Sequence, residues 1–157
     1  MKANTIFSAA PSIAILVLAA FLLSHNALAT TAGNESSQDS VASKITKVVI
    51  QVSDNNPKRW NLALNNAENV QEDLGKGNVD ISIVAYGPGL PMLEMQSVAA
   101  NRISNAIARG VKLIACENTM RKDKLTKQDM LPDLNYTKSG VVYLVKKQAL
   151  GYSYIKP

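Results

Sequence analysis

Residues 47–75, KVVIQVSDNNPKRWNLALNNAENVQEDLG, decide the fold. The run from Lys47 to Ser53 is short and β-branched, the composition of a buried strand. A helix follows it at once. Asn56 is a candidate N-cap, Pro57 suits the first turn, and Gly75 suits the stop. Trp60, Leu64, Ala67, Val70 and Leu74 recur at helical spacing, which gives the helix one apolar face and makes Trp60 a packing residue.

The same unit repeats downstream. VDISIVAY (79–86) reads as a second strand and GPGLPML (87–93) as a loop. Ser97 to Arg109 reads as a helix with Ala99, Ile103, Ala106 and Ile107 on one face and Gly110 at its end. VKLIAC (111–116) is a third strand, followed by a polar, short helical stretch and by TKQDM (126–130), where Thr126 can cap one further turn. Ser139 can cap a last helix over Gly140–Leu150, with Val141, Leu144, Val145 and Ala149 facing inward and Gly151 closing it. YSYIKP (152–157) is the closing strand. Strands alternating with helices make an α/β protein whose parallel sheet is covered on both faces.

The chain upstream is of another kind. Lys2 supplies a positive start, Ile13–Leu23 an apolar core, and Ala27-Leu28-Ala29 a small-x-small cleavage site, so residues 1–29 read as a secretory signal peptide. The apolar run is shorter than the about 20 residues of a membrane span. The expectation is a periplasmic or secreted protein that begins at Thr30 and has no stable membrane insertion after cleavage. Residues 30–44, rich in Ser, Thr, Asn and Gln, read as a flexible leader, and 45–157 as one domain.

The sole histidine, His25, lies in the signal. Its loss on cleavage removes the imidazole base of serine and cysteine hydrolases and the usual zinc ligands, so neither metal nor cofactor is expected. The net charge of +5 is mild, and Arg121, Lys122, Lys124 and Lys127 alternate with Asp123 and Asp129. That pattern is a solvated face, and no nucleic-acid partner is expected.

In an open parallel sheet, ligands bind outside the carboxyl ends of the strands. Three segments gather there, contributing Asp54 and Asn55, then Tyr86, Gly87 and Gly89, then Cys116, Asn118 and Thr119. A nucleotide site fits poorly: Met92 stands where a dinucleotide loop has its third glycine, and Pro88 and Pro91 lack amide donors. Cys116 is the only cysteine. At a strand end followed by a helix, its thiolate would lie among the unpaired amides of Asn118 and Thr119, with Arg121 and Lys122 adding positive potential and Glu117 opposing it. Burial as an inert packing residue stays open.

Taken in order and spacing, KVVIQVSDNNPKRWNLALNNAENVQEDLG, VAYGPGLPML, GVKLIACENTM and SGVVYLVKKQALGYSYIKP resemble the DsrE/DsrF-like family, in its small, exported or stand-alone branch. The resemblance runs from about Lys47 to Pro157. It implies a three-layer α/β/α fold with a parallel sheet of about five strands, and homo-oligomers or mixed oligomers. It also implies a sulfur relay, in which Cys116 takes sulfane sulfur from a small compound or donor protein, holds it as a persulfide, and yields it to an acceptor. The Asn118 and Thr119 amides would stabilise the anion, and Asp54, Asn55, Tyr86 and the Gly87–Gly89 loop would line the pocket. Two other readings carry the same residues: a non-catalytic oligomeric binding module with a structural cysteine, and a thiol redox sensor. The apolar GLPML (89–93), read as a loop, marks the expected subunit interface.

Overall fold

The computed structural model describes residues 45–157. The expected signal peptide and flexible leader lie outside the described residues. Five strands form one parallel sheet in the order β4-β3-β2-β1-β5, with β1 Thr46–Val52, β2 Val79–Ala85, β3 Lys112–Cys116, β4 Asn135–Thr137 and β5 Ser153–Ile155. Helices α1 (Pro57–Leu74), α2 (Ala100–Ala108), α3 (Glu117–Lys122) and α4 (Gly140–Ala149) connect them, so the fold is α/β with helices on both faces.

The first unit forms as its residues require. The Asn56 side chain accepts the Lys58 amide at 2.9 Å, and Gly75, at φ 85°, ends α1 in a backbone region that side chains disfavour. Trp60, Leu64 and Ala67 are buried, but the stripe is rotated from the expected one: Ala63 and Gln71 are buried with them, and Leu74 is 46 % exposed. Gln71 enters the interface because Arg109 supplies a carbonyl to its amide at 2.9 Å. Thr126 precedes its turn as expected, its amide and hydroxyl both donating to the Asp129 carboxylate at 2.7 Å.

Successive strands β1 to β4 step in one direction across the sheet, and α4 then crosses back to lay β5 beside β1. Right-handed crossovers running in opposite directions put their helices on opposite faces. One face therefore carries the large core, with Ile50, Ile81, Ile83, Leu113 and Ala115 packed under Trp60, Leu64, Ala67 and Ile103, and with Met120 of α3 joining them. The other face carries a small core of Val49, Val84, Ile114, Leu144 and Tyr152, with Tyr86 and Tyr143 at its margin.

Three sequence expectations change. GLPML is not an exposed loop: residues 87–93 wind as a 3₁₀ turn, and Leu90, Met92 and Leu93 are fully buried. Gly89 permits this, since a methyl group there would lie 2.3 Å from the Val52 carbonyl oxygen. In α4, Leu144 faces inward but Val141 and Val145 are 54 % and 60 % exposed, and Ala149 is exposed too. Strand β4, three residues at the sheet edge, was not read from composition; Asn-Tyr-Thr carries no run of buried apolar residues.

Candidate functional site

Strands β3 and β4 end together, with Cys116 in register with Thr137. From that point the chain turns to opposite faces, since α3 packs Met120 into the large core while α4 covers the small one. The crevice at their carboxyl ends is the topological switch point of this sheet, the position where open α/β sheets hold ligands. Cys116 stands in it.

Alternation along β3 sends Ala115 to the large core and Cys116, like Ile114, to the α4 face. The thiol is 4 % exposed. Its sulfur accepts the Gly140 amide at 3.3 Å, the first amide of α4, reached across 24 residues of sequence. The positive end of that ten-residue helix is therefore directed at the thiol. Ser139 precedes it as the N-cap residue, but its side chain makes no capping bond.

Thr119 is the second partner. Its Oγ1 accepts the Gly87 amide at 2.9 Å, which leaves the hydroxyl proton to donate to Cys116. Burial pushes the thiol pKa up, but the Thr119 hydroxyl and amide, then the Gly140 and Asn118 amides, outweigh it and hold the thiol below its ordinary value. The Asn118 amide has another commitment, since it donates to the Lys138 carbonyl at 3.1 Å. That bond ties the β3–α3 turn to the β4–α4 turn and holds the crevice together. The Asn118 side chain accepts from Arg121, which directs this guanidinium along α3.

The remaining sequence candidates divide into separate places. Asn55, Gly87 and Thr119 line one groove of about 240 Å³ with Pro88, Pro91, Lys122 and Asp123. Thr119 both lines this groove and acts on the thiol, which is not among the groove's lining residues. Tyr86 lies on the thiol's own side, one residue beyond the Ala85–Ala115 pair of β2 and β3. Burial raises its pKa, and the neighbouring Tyr154 and Cys116 raise it further. Asp54 is exposed and uses its carbonyl to accept the Trp60 indole at 2.7 Å, while Gly89 is buried against Val52.

Sequence reading missed Gly140 and Lys138. A Ser-Gly pair opening a helix was visible, but only the β3–β4 register brings it to Cys116. Among the described residues, no group of three or more His, Cys, Asp or Glu is placed to hold a metal ion.

Comparison with known proteins agrees with this architecture. A structure of a protein of unknown function from Methanobacterium thermoautotrophicum is 31 % identical, covering 71 % of this chain and 99 % of that one, with a TM-score of 0.68. A protein of unknown function from Bacteroides thetaiotaomicron shares the fold at 14 % identity and a TM-score of 0.59, covering 74 % of this chain and 98 % of that one. No curated protein matches the chain. The sequence profile of the DsrE/DsrF-like family, whose members generally act in sulfur relays, matches residues 44–157. Over all of its described fold, the chain belongs to the DsrE/DsrF-like family.

Proposed function

We propose that this protein is an exported sulfur carrier that holds sulfane sulfur as a persulfide on Cys116. The observation that carries the reading is the sulfur's place at the switch point, within 3.3 Å of the first amide of α4 and beside the Thr119 hydroxyl. These donors favour an anion, and the thiolate is the nucleophilic form. In the transfer, the Cys116 thiolate attacks the outer sulfur of a polysulfide. A new S–S bond forms, the donor's S–S bond breaks, and its electron pair leaves with the shortened polysulfide. An acceptor thiolate then takes the outer sulfur by the same exchange and returns Cys116 as thiolate. No external oxidant or reductant is needed.

Intact mass spectrometry of the purified mature protein, before and after exposure to polysulfide, tests this directly. Wild type gains one sulfur that reductant removes, and Cys116→Ser gains none. A wild-type protein that gains no mass overturns the reading. The near-complete burial of Cys116 favours a second reading, an oligomeric binding module in which the thiol only packs. That reading expects no loading and no alkylation until the protein unfolds.

Export and self-association belong to the same proposal. The signal-like residues 1–29 support a mature start at Thr30, which terminal sequencing of periplasmic protein checks; recovery of an intact Met1 form in membranes counts against it. The exposed ridge of Val141, Val145 and Ala149 supports an interface on α4 in place of the one expected at GLPML.

A further inference from the structure

Cys116 is nearly closed off, although the reading above requires a sulfur donor to reach it. The groove that Thr119 lines does not include Cys116. Ile114 lies below it on the strand, and the Gly140 amide closes the side towards α4. On one side Cys116 has its β4 partner Thr137, and on the other Tyr86, half-buried, lies across from it just beyond the end of β2.

The contact of Tyr86 with α4 is tight. A methyl group on Gly140 would lie 2.8 Å from the Tyr86 Cβ and 2.9 Å from its Cγ and Cδ1. The ring root therefore rests on the Gly140 Cα, next to the amide that holds the sulfur. A glycine is required here by close approach, and any other residue would push Tyr86 away. The other tyrosines of this sheet face are pinned by their hydroxyls: Tyr143 to Ser82 at 3.2 Å, Tyr152 to Asp80 at 2.6 Å, and Tyr154 to Gln51. Among the described residues, the Tyr86 hydroxyl makes no such bond. Its ring is held by packing alone, so its rotation breaks no hydrogen bond.

We infer that Tyr86 is a gate over Cys116, closed where its ring lies on Gly140 and opened by rotation of the side chain away from α4. The inference rests on the sulfur-carrier reading for its purpose but not for its test. A persulfide adds one sulfur at a bond length of about 2.05 Å, with the donors Thr119 and Gly140 on two sides and Thr137 of β4 on a third. The added atom goes where the ring lies, so loading holds the gate open. The same displacement presents the outer sulfur to an acceptor. Tyr86 thus discriminates by size: small inorganic polysulfides pass on a brief opening, whereas a bulky disulfide needs the ring out for longer.

The experiment measures second-order rates of Cys116 modification in the folded mature protein, with iodoacetamide as the small reagent and an aromatic disulfide as the bulky one. Tyr86→Ala raises the rate for the bulky reagent at least tenfold and that for iodoacetamide much less. Tyr86→Phe keeps the ring and keeps the slow rates. Tyr86→Val, which places a strand-favouring β-branched residue at the strand end, gives the alanine result should Tyr86→Ala not fold. Equal rates in wild type and in a folded variant lacking the ring overturn the gate. Polysulfide loading, followed by mass on the same samples, separates the two ideas. A ringless variant that alkylates faster but never loads keeps the gate and sinks the carrier. Wild type that loads, with reagent rates indifferent to Tyr86, does the reverse.

Discussion

Replacing Thr119 by valine removes one hydroxyl that serves two groups, and both losses are measurable. The Thr119 side chain is the foremost of the donors that lower the Cys116 pKa. A hydrogen bond to a charged group contributes about 1.5–3 kcal/mol, and the low end suits a site this close to the sheet's edge. Each pKa unit corresponds to about 1.36 kcal/mol, so Thr119→Val raises the thiol pKa by about one unit. The same hydroxyl oxygen accepts the Gly87 amide at 2.9 Å. Gly87 is half-buried, so orphaning that amide costs about 1 kcal/mol of folding stability. The pH dependence of iodoacetamide alkylation gives the pKa, and urea unfolding gives the stability. For a lowered thiol pKa, the stabilising contribution is fully present above the unfolded value and is lost as pH falls through the folded one. The stability gap between wild type and variant is therefore wider at pH 9 than at pH 6. Thr119→Ser, which keeps the hydroxyl, stays near wild type in pKa. An alkylation profile for Thr119→Val that overlays wild type would show that the hydroxyl does not reach the sulfur.

Other changes probe the frame around the site. Gly89→Ala forces a methyl group to 2.3 Å from the Val52 carbonyl, where neither backbone can rotate aside, and should cost about 3 kcal/mol in denaturant unfolding; a loss under 1 kcal/mol would mean the turn adapts freely. Asp80 accepts Lys112 at 2.8 Å and Tyr152 at 2.6 Å, and although burial opposes it, these partners hold its carboxyl below the usual range. Its contribution is present above the unfolded pKa of about 3.9 and lost as pH falls through the folded value, so Asp80→Asn should cost about 1 kcal/mol at pH 7. That difference should vanish in strong acid, and a constant gap across the range would contradict the linkage. Val145→Glu places a charge in the middle of the exposed ridge of α4, so light scattering should report a smaller assembly than wild type, with unfolding little changed. An unaltered mass would put the interface elsewhere.

Local chemistry was sufficient for much of this. Asn56, Pro57 and Gly75 mark α1 by hydrogen bonding and backbone freedom that act within a few residues. The β-branched runs at 47–53 and 79–86 are buried strands because both faces of a parallel sheet are covered. Cys116 was legible as a strand-end thiol for the same reason: a strand pattern stops there and a polar turn begins.

What surrounds Cys116 was decided by contacts distant in sequence. The amide at its sulfur comes from Gly140, and it arrives there only because Cys116 pairs with Thr137 and the chain then reverses onto the other face. The orientation of α4 was undetermined for a related reason. The apolar residues of GVVYLVKKQA extend around the helix, with Val141–Val145–Ala149 as one ridge and Leu144 on another, so more than one side could turn to the sheet. Packing over Val49, Val84 and Ile114 selects Leu144. GLPML is buried, not displayed, because Gly89 allows its turn to lie on the end of β1. Caps and periodicity act through bonds that the chain carries along with it. A register or a helix face is chosen by whichever surface the rest of the fold brings to meet it.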